Sequence, residues 1–114
     1  MILNVLVSDQ AYSLDVPDEM MAECEEFFAG MDKDMDKGWQ MSSRWVEDMN
    51  LEQRCQVAAD RILSAMDNHN KDVATMMAGY ILSRVPQVAG VRMNMEGEMF
   101  EHELLSAEQL QTSL

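Results

Sequence analysis

The chain reads as an α+β domain, because three patterns fall in the order that one antiparallel sheet covered by helices requires. Leu3, Val5 and Val7 stand two apart near the N-terminus, and Val91, Met93 and Met95 do the same near the C-terminus. Between them, apolar residues recur at three- and four-residue steps. Strands at both ends most simply share one antiparallel sheet, with three central helices on its apolar face. At 114 residues the length indicates a single domain, residues 1–114, that buries about two-thirds of its unfolded surface.

The elements follow in order. Leu3, Val5 and Val7 form a first strand, Ser8, Asp9 and Gln10 supply a turn, and Tyr12, Leu14 and Val16 form a second. This predicts an N-terminal β-hairpin. Pro17 ends strand pairing and presets φ for a helix, with Asp18 and Glu19 near the positive end of its dipole. Met20, Met21, Cys24, Phe27, Phe28 and Met31 then give residues 17–31 an apolar stripe and an acidic opposite face.

Residues 32–38, DKDMDKG, read as a polar connection, after which Met41, Trp45 and Met49 stand four apart on a shorter predicted helix with Trp39 at its entry. Asn50 and Gln53 have capping-box spacing and open a helix with Cys55, Ala58, Ala59, Ile62 and Met66 inward. Asp67–Asn70 breaks it. Val73, Met76, Met77, Tyr80 and Ile81 carry the next helix until Pro86 stops it.

A C-terminal β-hairpin turning at Glu96-Gly97 is expected to set Met93 opposite Phe100, Arg92 opposite Glu101 and Val91 opposite His102. Ser106 and Gln109 repeat the capping-box spacing, with Leu105 and Leu110 placed for a hydrophobic staple, so a short C-terminal helix closes the chain. Cys24 and Cys55 both fall on apolar stripes and are expected to be buried and unpaired, in a reducing compartment. The N-terminus lacks the basic start of a signal peptide, and no apolar run approaches a membrane span, so a cytoplasmic location is expected.

Charge is divided along the length. Residues 1–36 hold ten acids against Lys33, residues 37–92 hold seven bases against six acids, and residues 93–114 hold five acids and no base, giving −9, +1 and −5 of a net −13. Such a field repels nucleic acid and anionic membranes and favours basic or mixed-charge protein partners. Glu19, Glu23 and Glu26 form an acidic row on the first predicted helix. A step of four residues along a helix is about 6 Å, comparable with phosphate spacing along a strand, so imitation of a nucleic-acid backbone is an alternative use of that row.

Motifs for chemistry are sparse. Asp32, Asp34 and Asp36 resemble the opening of an EF-hand loop, but Lys37 stands where Gly makes the sharp turn and Ser43 where a bidentate Glu is required. Thirteen methionines suit copper(I), with Met31, Met35 and Met93, Met95 closely spaced, yet most sit at helical core positions where Met is an adaptable filler. His69 lies in a helix break, and His102 lies between Glu101 and Glu103 with no Cys or Ser nearby in sequence to form a nucleophile pair. No phosphate loop, C-x-x-C or H-E-x-x-H occurs. No catalytic residue and no cofactor is assigned. The expectation is a small accessory or regulatory protein that works by protein–protein interaction through Glu19, Glu23, Glu26, Trp39 and Trp45, with homodimerisation one arrangement open to it.

Overall fold

The computed structural model describes residues 1–113. The α+β class holds. β1 (Ile2–Val7) and β2 (Gln10–Asp15) form the N-terminal hairpin, followed by α1 (Asp18–Glu23), α2 (Glu25–Met35), β3 (Trp39–Met41), β4 (Arg44–Val46), α3 (Leu51–Asp67) and α4 (Lys71–Arg84). β5 (Gly90–Arg92), a single 3-10 turn (Met99–Glu101), β6 (Glu103–Leu105) and α5 (Ala107–Ser113) complete the order.

The main sheet runs β2-β1-β5-β6. It is mixed rather than antiparallel throughout, because β1 pairs with β5 in parallel while β1–β2 and β5–β6 are antiparallel. A chain that leaves β2, runs through α1 to α4 and the β3–β4 hairpin, and returns beside β1 has the length a parallel crossover needs. Leu3, Val5, Leu14 and Val91 turn one face of the sheet into the core shared with Phe28, Ile62, Met77, Tyr80 and Ile81. The other face carries Leu6 and Leu105, both buried but outside that main cluster.

α5 covers that second face. A Cβ on Gly90 would stand 2.9 Å from the Asn4 carbonyl oxygen and 3.2 Å from a methyl of Leu110, so glycine is what lets β5 lie so close to both. Arg92 donates to the Ser113 hydroxyl and pairs with Glu103 across the strands at 3.2 Å. The capping box at its start forms as the spacing predicts: Gln109 N–H donates to Ser106 Oγ at 3.2 Å, and Ser106 N–H donates to the Gln109 side chain at 2.9 Å.

α3 also begins on its predicted capping box, with Gln53 N–H on Asn50 Oδ1 at 2.8 Å and Asn50 N–H on Gln53 Oε1 at 3.0 Å. Cys55, Ala58, Ala59 and Ile62 point inward as expected, and Met66 is half-buried. α4 ends at Arg84, two residues before Pro86.

Four sequence expectations are corrected. The segment 17–31 is two helices that meet at Cys24, whose ψ of 3° departs from helical geometry, and Cys24 is only half-buried. The predicted polar connection is helical through Met35, so Asp32 and Asp34 lie on α2. Residues 39–46 form a β-hairpin and not a helix, with Trp39 opposite Val46, Gln40 opposite Trp45 and Met41 opposite Arg44. The C-terminal hairpin is shifted by two residues, placing Val91 opposite Leu104 and Arg92 opposite Glu103. A shift of two preserves which side chains share a face and still sets opposite charges across the strands.

Candidate interaction surface

The β3–β4 hairpin and the loop between β5 and β6 together build an open groove of about 530 Å³, lined by Arg44, Trp45, Val46, Glu47, Asp48, Gln53 and Phe100. Local backbone chemistry sets its first wall. The hairpin turns at Ser42-Ser43 with Ser42 at φ 53°, a left-handed position that a serine holds without the usual glycine. Its hydroxyl accepts from Met99 N–H at 3.1 Å and donates to the Gly97 carbonyl at 3.2 Å, which ties the hairpin to the opposite loop.

Buried polar groups hold the second wall. Gln56 on α3 donates to the carbonyls of Phe100 at 2.8 Å and His102 at 3.2 Å. His102 is buried, with Nδ1 accepting from Asn94 N–H at 2.9 Å and Nε2 3.1 Å from Asp60 Oδ1. Because Asn94 N–H is fixed as a donor, the proton of the neutral ring sits on Nε2 and faces Asp60. Asn94 Oδ1 in turn accepts from the backbone N–H groups of Glu96 and Glu98. These bonds explain why the predicted two-residue turn does not form: satisfying Gln56 and His102 holds residues 93–102 as a wider loop. They assign His102 a positioning role, with Phe100 two residues away.

Inside the groove, the Arg44 guanidinium lies 4.3 Å from the centre of the Phe100 ring. Trp45 is 58% exposed, the most exposed large apolar side chain among the described residues. One edge of its indole covers Gly38, whose φ is +95° and where a Cβ would lie 2.7 Å from the ring. Gly38 therefore answers two demands at once, the left-handed turn after α2 and the seat of Trp45. Glu47 and Asp48 are exposed beside it and belong to no ion pair among the described residues.

The other predicted residues are placed differently. Trp39 is half-buried and packs on the core, lining a small space with Met31, Met35 and Val57, so it does not join Trp45 on one surface. Glu19 and Glu23 lie on α1 and Glu26 on α2, all exposed, so the acidic row is divided between two helices. Phe27, 46% exposed, stands among them. Met31, Met35, Met41, Met49, Met77 and Met93 are buried in the core.

Asp32, Asp34 and Asp36 do not converge. Asp32 and Asp36 share one side of α2, while Asp34 is exposed and lines the small space beside Trp39. Asp32 accepts from Arg84 Nε at 2.8 Å, from the Tyr80 hydroxyl and from Arg54 at 3.4 Å, and Arg54 also pairs with Asp36 at 2.6 Å. Arg84 reaches Glu25 at 2.9 Å, so the cluster braces α2 against both α3 and α4. Burial alone would raise the Asp32 carboxyl, but hydrogen bonds from Tyr80 and Arg84, the Arg84 charge and the Arg54 contact outweigh it and hold the group below its ordinary range. Cys55, buried nearby, is pushed up to about 12 by burial and then by the Asp32 charge, which makes it a poor nucleophile near neutral pH. Among the described residues no three His, Cys, Asp or Glu side chains converge as a metal site.

Comparison of the chain with protein-family models, with curated proteins and with solved structures finds no match. Among the described residues no helix is long and apolar enough to cross a membrane.

Proposed function

We propose that this chain is a small acidic accessory or regulatory protein that acts by binding another protein, with no catalytic activity of its own. The observation that carries the reading is Trp45, an indole more than half exposed in a groove whose walls are held by hydrogen bonds of Ser42, Gln56 and His102. A rigid exposed Trp beside a polar rim is the composition of a binding hot spot. Glu47 and Asp48 stand beside it with no basic partner among the described residues, and the chain carries a net charge of −13, so the partner surface offers Lys or Arg. Phe100 already receives one guanidinium from Arg44, and the same ring, indole and carboxylate chemistry suits a cationic side chain from outside.

Two surfaces contribute differently in this reading. The Trp45 groove supplies contact energy, whereas Glu19, Glu23 and Glu26 supply long-range attraction that salt screens. The test is capture of a partner from the native cell on the immobilised protein, followed by affinity measurement on the purified pair. Trp45→Ala should weaken the complex by tenfold or more at all salt concentrations. Changing Glu19, Glu23 and Glu26 together to Gln should mainly flatten the salt dependence. Unchanged affinity for the Trp45 variant would remove the groove from the reading.

A further inference from the structure

We infer that the free edge of β2 is a docking site for an extended, basic segment of a partner protein, which adds to the main sheet as a fifth strand. β2 is one margin of the order β2-β1-β5-β6 and is six residues long. The hairpin closes on Val7 opposite Gln10; Val16 N–H donates to the Met1 carbonyl at 2.7 Å and the Met1 terminal ammonium donates to the Val16 carbonyl at 2.8 Å. Hydrogen-bonded pairs alternate in an antiparallel ladder, so Gln10, Tyr12 and Leu14 face β1 with their backbone groups. Ala11, Ser13 and Asp15 are left with N–H and C=O pointing outward. All three are exposed, and none of these backbone groups has a partner among the described residues.

Edge strands are normally protected by shortness, Pro, Lys or a bulge. The opposite margin, β6, is protected in this way, since it is three residues long and begins with Glu103, which is paired to Arg92. β2 is twice as long and carries one charge, the exposed Asp15, which deters a like-charged strand but not a basic one. Its register against β1 runs without a bulge from Ile2–Asp15 to Val7–Gln10, and it contains neither Pro nor Lys.

Charge decides what the edge accepts. Asp9 and Asp15 bracket it, Asp18 and Glu19 follow, and no Lys or Arg occurs before Lys33. A second copy pairing antiparallel through Ser13 would bring its own Asp9 and Asp15 to positions diagonal to these, about 7 to 8 Å away. Two chains of −13 would meet at their most acidic ends. An extended segment carrying Lys or Arg at alternate positions meets the same backbone groups with attraction in place of repulsion. The inference shares with the proposed function only the basic character of the partner, and it stands without the Trp45 groove.

The test uses a synthetic (Lys-Val)5 peptide, the same peptide N-methylated on every residue so that neither of its edges can donate to β2, and the full chain. Ser13→Pro removes an outward N–H without removing a β1–β2 hydrogen bond, so the hairpin keeps its ladder. The expected results are binding of the unmethylated peptide, at least tenfold slower amide exchange at Ala11, Ser13 and Asp15, and at least tenfold weaker binding by the Ser13→Pro variant. The N-methylated peptide keeps the charge and should bind the wild-type chain at least tenfold more weakly, which tests the inference even where the proline variant fails to fold. Equal binding of both peptides, or no change in exchange at those amides, would show simple charge attraction and overturn it. A concentration-dependent dimer in sedimentation that protects the same amides would also overturn it, because the occupant would then be a second copy. Amide exchange at Ala11, Ser13 and Asp15 reports the edge alone, whereas Trp45→Ala reads the groove through affinity for the captured partner, so loss of the groove and loss of the edge are read separately.

Discussion

The Asp32 cluster and the Trp45 groove use similar residue types to opposite ends. In the cluster, half-buried Arg54, Arg84 and Asp32 join buried Tyr80 and exposed Glu25 and Asp36, and each group found there answers another: Arg84 with Asp32 and Glu25, Arg54 with Asp32 and Asp36, Tyr80 with Asp32. Arg84 also lies over the Tyr80 ring at 5.3 Å. In the groove, Arg44 has an aromatic face and no carboxylate, while Glu47 and Asp48 have no base among the described residues. Charge that is matched within the chain holds helices together; charge left unmatched beside an exposed indole is available to a partner.

The largest effect should come from breaking the matched cluster. Asp32→Ala leaves Arg84, Arg54 and Tyr80 with unsatisfied donors in a half-buried setting, and should cost about 2 to 3 kcal/mol of unfolding free energy in urea titration, below the figure for a fully buried pair because water reaches the site. The acid limb of the stability curve checks the same group. Since the folded state holds the Asp32 carboxyl below its ordinary range, its contribution is fully present above the unfolded value and is lost as pH falls through the lowered folded value. The Asp32→Ala variant should lack that portion of the acid limb. An acid limb identical to wild type would show that the cluster contributes nothing at equilibrium.

Gly38→Ala links the two regions, because Gly38 ends the turn after α2 and seats Trp45. A left-handed φ together with a Cβ 2.7 Å from the indole should cost about 1 to 2 kcal/mol and should change Trp fluorescence in the folded state. Unaltered emission and stability would mean that the indole does not rest on Gly38 in solution. Trp45→Ala, in contrast, should change stability by less than about 1 kcal/mol, since more than half of the side chain is already in water. A larger loss by thermal melting would move Trp45 from the binding surface to the core.

The smallest effect is kinetic. Cys55 is buried beside the matched cluster and its thiol is pushed up to about 12, so at pH 8 it should label slowly in the folded protein and rapidly in denaturant. Half-buried Cys24 should label faster than Cys55. Asp32→Ala should narrow that difference by loosening the cluster around Cys55. Equal native rates for the two thiols would contradict the packing described for α3.

Several elements were legible because one short segment decides each. The alternation of Leu3, Val5 and Val7, the Asn50–Gln53 and Ser106–Gln109 boxes and the stop before Pro86 depend on neighbours within about one turn. The β3–β4 hairpin was not legible for an equally local reason. Met41, Trp45 and Met49 fit helical spacing, and the turn residue that contradicts it is Ser42, whose positive φ a sequence normally announces with Gly or Asn. The first hairpin uses the same device, with Ser8 at φ 55°, but longer flanking alternation reveals it.

By itself, the sequence determined the α+β class, the acidic flanks and the lack of any recognised motif for cofactor or metal, because composition and short-range periodicity carry that information. Only the tertiary structure decided which acids are matched. Asp32 finds Arg84 across 52 residues, and Gln56 fixes Phe100 across 44, so no spacing along the chain could announce either contact. The same holds for the parallel pairing of β1 with β5, which leaves β2 at the margin of the sheet and its outward backbone groups open. Burial of the helices' apolar faces sets those long-range neighbours, and every hydrogen bond and ion pair between distant segments follows from that packing.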